Sequence, residues 1–247
     1  MVKNHLIPML RRHAAGALFL DVWPGYRALH DGTTRRLPGK VRSLIELWST
    51  NPTLLRESQE SYAAYEGGDM MDVGAFHGWY SWLLAPKATP GDRFVSCEPD
   101  DRIINDLLSN LATFARIFPK ISTAFISQPI GDGGGLAIQN PGGGHPQFGS
   151  DPSADGARRT VTLDALVATL GLRPTFVKID VEGAEFCVLR GMERLLADLH
   201  PTIMLEIHPK WQPPGVTVEQ VRETLLQHGY QASEADVSSV AVRQIWK

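Results

Sequence analysis

The stretch Met70-Met71-Asp72-Val73-Gly74-Ala75-Phe76-His77-Gly78-Trp79-Tyr80-Ser81 decides how the rest of the chain is read. It has the pattern of a buried strand ending near an acid, then a glycine turn, then the start of an amphipathic helix. Gly74 permits a tight turn or a close backbone approach, and Gly78 can seat the following helix against a sheet. A dinucleotide fingerprint requires G-x-G-x-x-G, whereas this turn reads Asp-x-Gly-x-x-x-Gly. A carboxylate at that place repels a pyrophosphate but accepts hydrogen bonds from a cationic or hydroxylated ligand. An ordinary strand-to-helix turn has the same local pattern, so the surrounding chain must decide between them.

Working outward, the chain alternates strand and helix. Strand Asp69 to Gly74 leads to helix Gly78 to Ala85. Strand Arg93 to Glu98 leads to a helix from Asp100 with apolar positions at Ile103, Ile104, Leu107, Leu108 and Leu111. A third strand fits Ser122 to Ile130, closed by Gly131-Asp132. Such alternation implies a mostly parallel sheet with helices on both faces and a ligand site outside the carboxyl ends of the strands. Glu98 ends the second strand about 20 residues beyond the glycine turn, where a carboxylate accepts ribose hydroxyls. Gly133 to Arg159, rich in Gly, Pro, Asn and Ser, reads as a mobile lid or a hairpin excursion containing His145. Thr162 then caps a helix Leu163 to Leu170 that Gly171 ends.

A second polar centre follows. In strand Thr175 to Asp180 the residues Phe176, Lys178 and Asp180 alternate with Val177, Ile179 and Val181. In Pro201 to His208, Met204, Glu206 and His208 alternate with Ile203, Leu205 and Ile207. A sheet buried on both faces reads as nearly continuous apolar residues, so Asp72, Lys178, Asp180, Glu206 and His208 need partners or a ligand. Glu182-Gly183-Ala184-Glu185 opens a helix with the stripe Phe186, Leu189, Met192, Leu196 and Leu199; both acids also suit a helix N-terminus on dipole grounds alone. The capping box Thr217 to Gln220 starts a helix to Gln227, ended by Gly229, and strands Tyr230 to Ser233 and Val240 to Trp246 complete a seven-stranded sheet.

With 247 residues and 43% hydrophobic content the chain can bury a sizeable core. Its net charge of -3 and pI near 6.2 give no electrostatic footprint for nucleic acid. Cys97 and Cys187 form no C-x-x-C pair and read as reduced core thiols. Arg11-Arg12 before Ala14 to Leu20 imitates a secretion signal, but Asp21 cuts the apolar run short. No run is long enough to span a bilayer, so neither a membrane nor a nucleic-acid partner is expected, and the expected location is the cytoplasm. Residues 1–66 read as a helical N-terminal extension and 67–247 as the main domain. The extension carries a stripe at Leu6, Leu10 and Ala14, an apolar group at Val41, Leu44, Ile45 and Trp48, and a helix that Asn51-Pro52 opens. Trp23, Tyr26, Trp48, Tyr62 and Tyr65 fit local core better than a sugar-stacking surface, and Arg35, Arg36, Lys40 and Arg42 fit a solvated face.

Taken together, Asp72 to Ser81, Cys97-Glu98-Pro99-Asp100, Lys178-Ile-Asp-Val-Glu-Gly-Ala-Glu185 and Pro201-Thr-Ile-Met-Leu-Glu206 resemble the FkbM family of S-adenosylmethionine-dependent methyltransferases. The resemblance covers roughly Gly68 to His208 and departs from the family's habit at Phe76, where Asn is common, and at His77, commonly apolar. It implies the class I methyltransferase fold, a Rossmann-like α/β architecture with a seven-stranded, mostly parallel sheet whose final strand is antiparallel. It also implies O-methylation of a saccharide or natural product. On that resemblance Asp72, Gly74, Ala75 and Gly78, with Ser81 ending the motif, form the methionyl corner; Glu98 holds the ribose, Asp132 approaches the adenine, and Asp180 faces the reacting centre. His208 is the preferred general base because an ordinary imidazole pKa lies near neutrality, with Asp180 and Glu182 as alternatives. A divalent cation such as Mg²⁺ held by Asp180, Glu206 and His208 is a less favoured mechanism, because Lys178 would crowd it. A non-catalytic cofactor-binding scaffold and a nicotinamide-dependent oxidoreductase are the readings from other classes.

Overall fold

The computed structural model describes residues 51–134, 136–138, 147–149, 157–238 and 240–247. The expectations for residues 1–50, including both apolar groups of the extension, Trp23, Tyr26 and the Arg35, Arg36, Lys40 and Arg42 cluster, lie outside these residues, as does His145.

Helix α1 (Pro52–Ala64) begins where the Asn51 side chain accepts from the backbone N–H groups of Thr53 and Leu54 at 3.0 and 3.3 Å. There follow β1 (Asp69–Val73), α2 (Trp79–Leu84), β2 (Arg93–Cys97), α3 (Ile104–Ile117) and β3 (Ser122–Ile126). After short strands β4 (Leu136–Ile138), β5 (Gln147–Gly149) and β6 (Ala157–Arg159) come α4 (Leu163–Leu170), β7 (Pro174–Ile179) and α5 (Glu185–Arg190). The chain closes with β8 (Thr202–Ile207), α6 (Val218–Gln227), β9 (Asp236–Val237) and β10 (Val242–Trp246). The main sheet has seven strands in the order β3-β2-β1-β7-β8-β10-β9. The pairs from β3 through β8 are parallel, while β10 runs antiparallel to both β8 and β9. Strand order reverses between β1 and β7, which is the switch point where such sheets take their ligands.

The two faces of this sheet differ in a way that positions the site. One face is apolar throughout: Met71, Val73, Val95, Val177, Ile179, Ile203, Leu205 and Ile207 pack against Leu163, Val188, Leu189, Val221 and Leu225. On the other, Met70, Phe94, Phe176, Met204 and Ile245 form a lower apolar row under Leu55 of α1, Trp82 and Leu83 of α2 and Phe114 of α3. Moving toward the carboxyl ends, the same face turns polar. Asp72 is in register with Ser96 and Lys178, and Glu206 with Arg243. Because side chains alternate along a strand, the apolar lower row fixes which residues form the polar upper one. Helix α1 shares this core through Leu55, Ala64 and the adjoining Tyr65, so a boundary at residue 66 passes beside a helix that the sheet packs against.

Three expected elements differ in extent. Strand β3 stops at Ile126, and Ile130 forms only an isolated bridge with Val161, because Pro129 between them offers a carbonyl but no N–H. The helix expected to run through Leu199 breaks after Arg190: a Cβ on Gly191 would strike the Gly131 carbonyl, and Asp164 caps the next turn by accepting from Arg194 and Leu195 N–H at 3.0 and 2.9 Å. Gln231 to Ser233 pair with the final residues through one isolated bridge and flanking hydrogen bonds, and β9 lies further on. Of the two readings for Gly133 to Arg159, the hairpin is seen: β5-β4-β6 form a small antiparallel sheet. Arg158 ties it back to the Pro99 and Ser127 carbonyls at 2.8 and 2.6 Å.

Candidate active site

The glycine turn is as tight as the sequence requires. Gly74 has φ 81°, and a Cβ there would collide with the Asp180 carbonyl, so only glycine lets the ends of β1 and β7 come this close. The N–H groups of Gly74 and Ala75 both donate to the Cys97 carbonyl at 2.9 and 3.0 Å, joining the turn to β2. Gly78, at φ 80°, precedes α2 and rests on Leu107. Between the glycines Phe76 takes a left-handed φ of 49°, and its N–H donates to Glu98 Oε2 at 2.8 Å. The other Glu98 oxygen accepts from Asp100 N–H at 2.9 Å. Glu98 is thus a buried carboxylate aimed by two backbone groups, its pKa raised by burial against their pull.

Asp72 is the anomaly of this corner. It is 0% exposed, and neither carboxylate oxygen has a hydrogen-bond partner. Its nearest cation is Lys178 Nζ at 3.6 Å from Oδ1. Burial pushes its pKa up to about 6, with Lys178 opposing and Asp180 and Glu98 adding to the rise. Ser81 is also fully buried in α2 with an unpaired Oγ.

Beyond Asp72 the polar row becomes a network. Lys178 Nζ donates to the Gly74 carbonyl at 2.7 Å, lies 3.2 Å from Asp180 Oδ2 and sits over the Tyr80 ring at 5.4 Å. His208 Nδ1 meets Glu185 Oε1 at 2.9 Å, while its Nε2 faces Glu206 Oε1 at 3.5 Å and Asp180 Oδ1 at 3.9 Å. Glu185 also accepts from Gly183 N–H at 3.0 Å and from the Gln212 amide, so it is a fully satisfied carboxylate that keeps the Nδ1 proton on His208. Glu206 is gripped by Arg243, whose Nε lies 3.1 Å from Glu57 Oε2 as an ion pair without an aligned hydrogen bond. Glu57, from α1, accepts from the Tyr80 hydroxyl on its other oxygen. Burial and the nearby Glu206 push its pKa up to about 8.

The expectations meet this geometry as follows. Asp72, Gly74, Lys178, Asp180, Glu206 and His208 are brought into one connected set, with Glu98 adjoining across the turn. Glu182 is exposed at φ 53°, and its charge acts on Arg102. Asp132 lies beside Arg190, at 4.0 Å, and accepts from Gly134 N–H. The reason for preferring His208 as base needs correction. Burial alone would lower its pKa, but Glu185, Glu206 and Asp180 raise it to about 10, so the imidazole is a cation at neutral pH in this arrangement. Asp180, part-exposed at the mouth, has its pKa raised by burial and by Glu206 against the pull of Lys178.

Ligand atoms of Asp180, Glu206 and His208 lie within 4.8 Å of one another, the spacing of a cation site. Lys178 on Asp180, Arg243 on Glu206 and a protonated His208 already supply the positive charge, so the donor set does not fit a divalent cation. The sequence reading missed Glu57, Arg243, Tyr80, Gln212 and Trp211. Only Arg243, a charge in a strand of otherwise apolar alternation, carried a local signal.

The family model described as the Methyltransferase FkbM domain matches residues 72–232, from Asp72 through the whole polar centre except Glu57 and Arg243. The chain belongs to this family. Its fold is also that of an FkbM methyltransferase structure from Methylobacillus flagellatus KT, at TM-score 0.52 and 16% identity over 94% of this chain. This chain spans 60% of the length of that protein. Further similar structures include a Bacillus cereus O-methyltransferase in complex with SAH, at TM-score 0.48, 12% identity, 92% of this chain and 98% of that one. Another is Precorrin-6y C5,15-methyltransferase from Geobacter metallireducens GS-15, at TM-score 0.44, 15% identity, 87% and 90%. No curated protein sequence is similar enough to count as a match. Membership in the FkbM family replaces the nicotinamide oxidoreductase alternative. Among the described residues, no helix is long and apolar enough to cross a membrane.

Proposed function

We propose that this FkbM domain is an S-adenosylmethionine-dependent O-methyltransferase acting on a hydroxyl of a saccharide or natural-product acceptor. The observation that carries the reading is Asp72, a buried carboxylate with both oxygens unpaired at the end of β1. Its one ion pair, to a Lys178 shared with Asp180, leaves this charge incompletely compensated, and the ammonium end of an amino acid is a fitting further partner. Glu98, with one lone pair on each oxygen already used by Phe76 and Asp100, has the others free for ribose hydroxyls. S-adenosylmethionine, when bound, supplies an electrophilic sulfonium methyl group.

The chain's own task is to orient the acceptor and take its proton. We assign the proton-accepting role to Asp180. It is the part-exposed carboxylate of the set, and burial raises its basicity above that of a free carboxylate. Lys178 opposes that rise. His208, fixed by Glu185, presents Nε2–H toward Asp180 and can hydrogen-bond the acceptor oxygen as it loses its proton. No part of this chemistry calls on a metal. Two free thiols, Cys97 buried and Cys187 half-buried, fit a reducing cytoplasmic setting. The test is calorimetry with S-adenosylmethionine, followed by labelled-methyl transfer to a panel of saccharides and small alcohols. Binding that weakens in Asp72→Asn and transfer abolished in Asp180→Asn are expected; failure to bind the cofactor overturns the reading.

A further inference from the structure

One aromatic side chain beside the reacting centre has no role in the account so far. Trp211, in the turn after β8, stacks on His208 with ring centroids 4.8 Å apart and planes 15° from parallel. It is braced from several sides. Its N–H donates to the His208 carbonyl at 3.1 Å, and its own carbonyl occupies the space that a side chain on Gly183 would need. Its neighbour Gln212 donates to Glu185, the same carboxylate that orients His208. The turn is therefore clamped onto the start of α5, while Trp211 remains part-exposed against a His208 whose Nε2 lies 3.9 Å from the part-exposed Asp180. Trp79, Trp82 and Trp246 are buried, while Phe76 of the glycine turn is exposed. A braced, part-exposed indole beside a cluster of polar side chains can hold a ring with an apolar face.

The charge around it narrows the class of ring. The carboxyl groups of Asp72, Glu98, Asp180, Glu185 and Glu206 outnumber the cations Lys178, His208 and Arg243 in this region. Such a set repels an anionic acceptor and offers acceptor oxygens to hydroxyl groups. We propose that Trp211 is the stacking wall of the acceptor subsite, and that the acceptor is an uncharged pyranose ring presenting its hydroxyl toward Asp180. This deepens the methyltransferase reading and rests on it.

The experiment measures binding of neutral methyl pyranosides and of the matching methyl uronosides to the complex with S-adenosylhomocysteine, by ligand-observed NMR and calorimetry. It compares the unaltered chain with Trp211→Ala and Trp211→Phe. Loss of stacking is expected to weaken neutral pyranosides by ~10-fold in Trp211→Ala and by ~3-fold or less in Trp211→Phe, with S-adenosylhomocysteine affinity unchanged in both. The uronosides are expected to bind at least ~10-fold more weakly than their neutral partners to the unaltered chain. Should Trp211→Ala fail to fold, Trp211→Leu supplies the same comparison without an aromatic face. Equal pyranoside affinity with and without the indole overturns the proposal, as do uronosides that bind equally well or phenols that bind where no pyranoside does. Each of these leaves the cofactor reading standing, whereas absence of S-adenosylhomocysteine binding overturns both.

Discussion

Replacing Asp72 by Asn should make the empty protein more stable and the cofactor bind less well. In the folded chain the Asp72 carboxyl has its pKa pushed from 3.8 to about 6 by burial. Below 3.8 the group is protonated whether the chain is folded or not, and it contributes nothing. As pH rises toward and through 6 the unfolded chain releases this proton more readily than the folded one, so folding loses stability. The penalty above pH 6 is up to about 3 kcal/mol, from 1.36 kcal/mol for each tenfold difference in proton affinity. Asparagine has nearly the shape of the protonated carboxyl and none of the charge. At about pH 7.5 the variant should therefore melt roughly 6–12 °C higher without cofactor, the advantage shrinking toward about pH 4. Cofactor binding should move the other way. Losing one charge-assisted hydrogen bond weakens it by about 1.5–3 kcal/mol, or ~10–150-fold. Thermal melts at the two pH values and calorimetry with S-adenosylmethionine measure both effects. A variant that is less stable at neutral pH, or that binds the cofactor as the parent does, refutes the idea that Asp72 is an unpaid charge waiting for a ligand.

Further outcomes follow from the same geometry. Arg243→Met strands Glu206 opposite Glu57, and urea denaturation should show a loss of about 3–5 kcal/mol. Glu57→Gln should lose under ~1 kcal/mol near neutral pH, because a carboxyl pushed to about 8 is already mostly protonated there. With its folded pKa raised from 6.5 to about 10, His208 contributes stability fully below 6.5 and loses it as pH rises through 10. Imidazole NMR should find it charged at about pH 8, and His208→Gln should flatten that part of the stability profile. Gly74→Ala forces a Cβ into the Asp180 carbonyl at φ 81°, and should lower stability by about 3 kcal/mol or more in chemical denaturation. Methyl transfer should survive exhaustive chelation.

The sheet was legible in the sequence because its signals are local. Met70 to Gly78 announces a strand, a turn and a helix start within nine residues, and the alternation in Thr175 to Asp180 and Pro201 to His208 separates the apolar face from the polar one without any coordinates. Cap residues were equally readable: Asn51, Thr162 and Thr217 each accept the hydrogen bonds their positions predict. What failed depended on contacts distant in sequence. The break at Gly191 is caused by Gly131 and Asp164, neither of which is near it in the chain. The charge state of His208 is set by Glu185 from one element and Glu206 and Asp180 from others, so its ordinary pKa was a poor guide. Glu57 had no signal at all: an acid on an amphipathic helix is unremarkable until the helix is seen to lie over Arg243 and Tyr80.

That placement of Glu57 explains how a polar row can persist inside a packed domain. Each cation of the row meets an acid: Lys178 meets Asp180 at the end of its own strand, Arg243 meets Glu206 on the neighbouring strand, and His208 meets Glu185 of α5. Helix α1 brings Glu57, and β10 brings Arg243, from the two ends outside the family-matched segment, so both flanks close the network that the FkbM core begins. Where the network reaches the switch point it runs short of cations. Lys178 is shared between Asp72 and Asp180 and also donates to the Gly74 carbonyl at 2.7 Å. A domain built only for stability would have placed an apolar residue at position 72, as it did at Met70 and Phe176 in the row below. The deficit therefore falls at the switch point of the sheet, and a ligand carrying an ammonium and a sulfonium would neutralise it. Binding of that ligand should consequently stabilise the fold beyond its contact area, by mass action on the folded state alone.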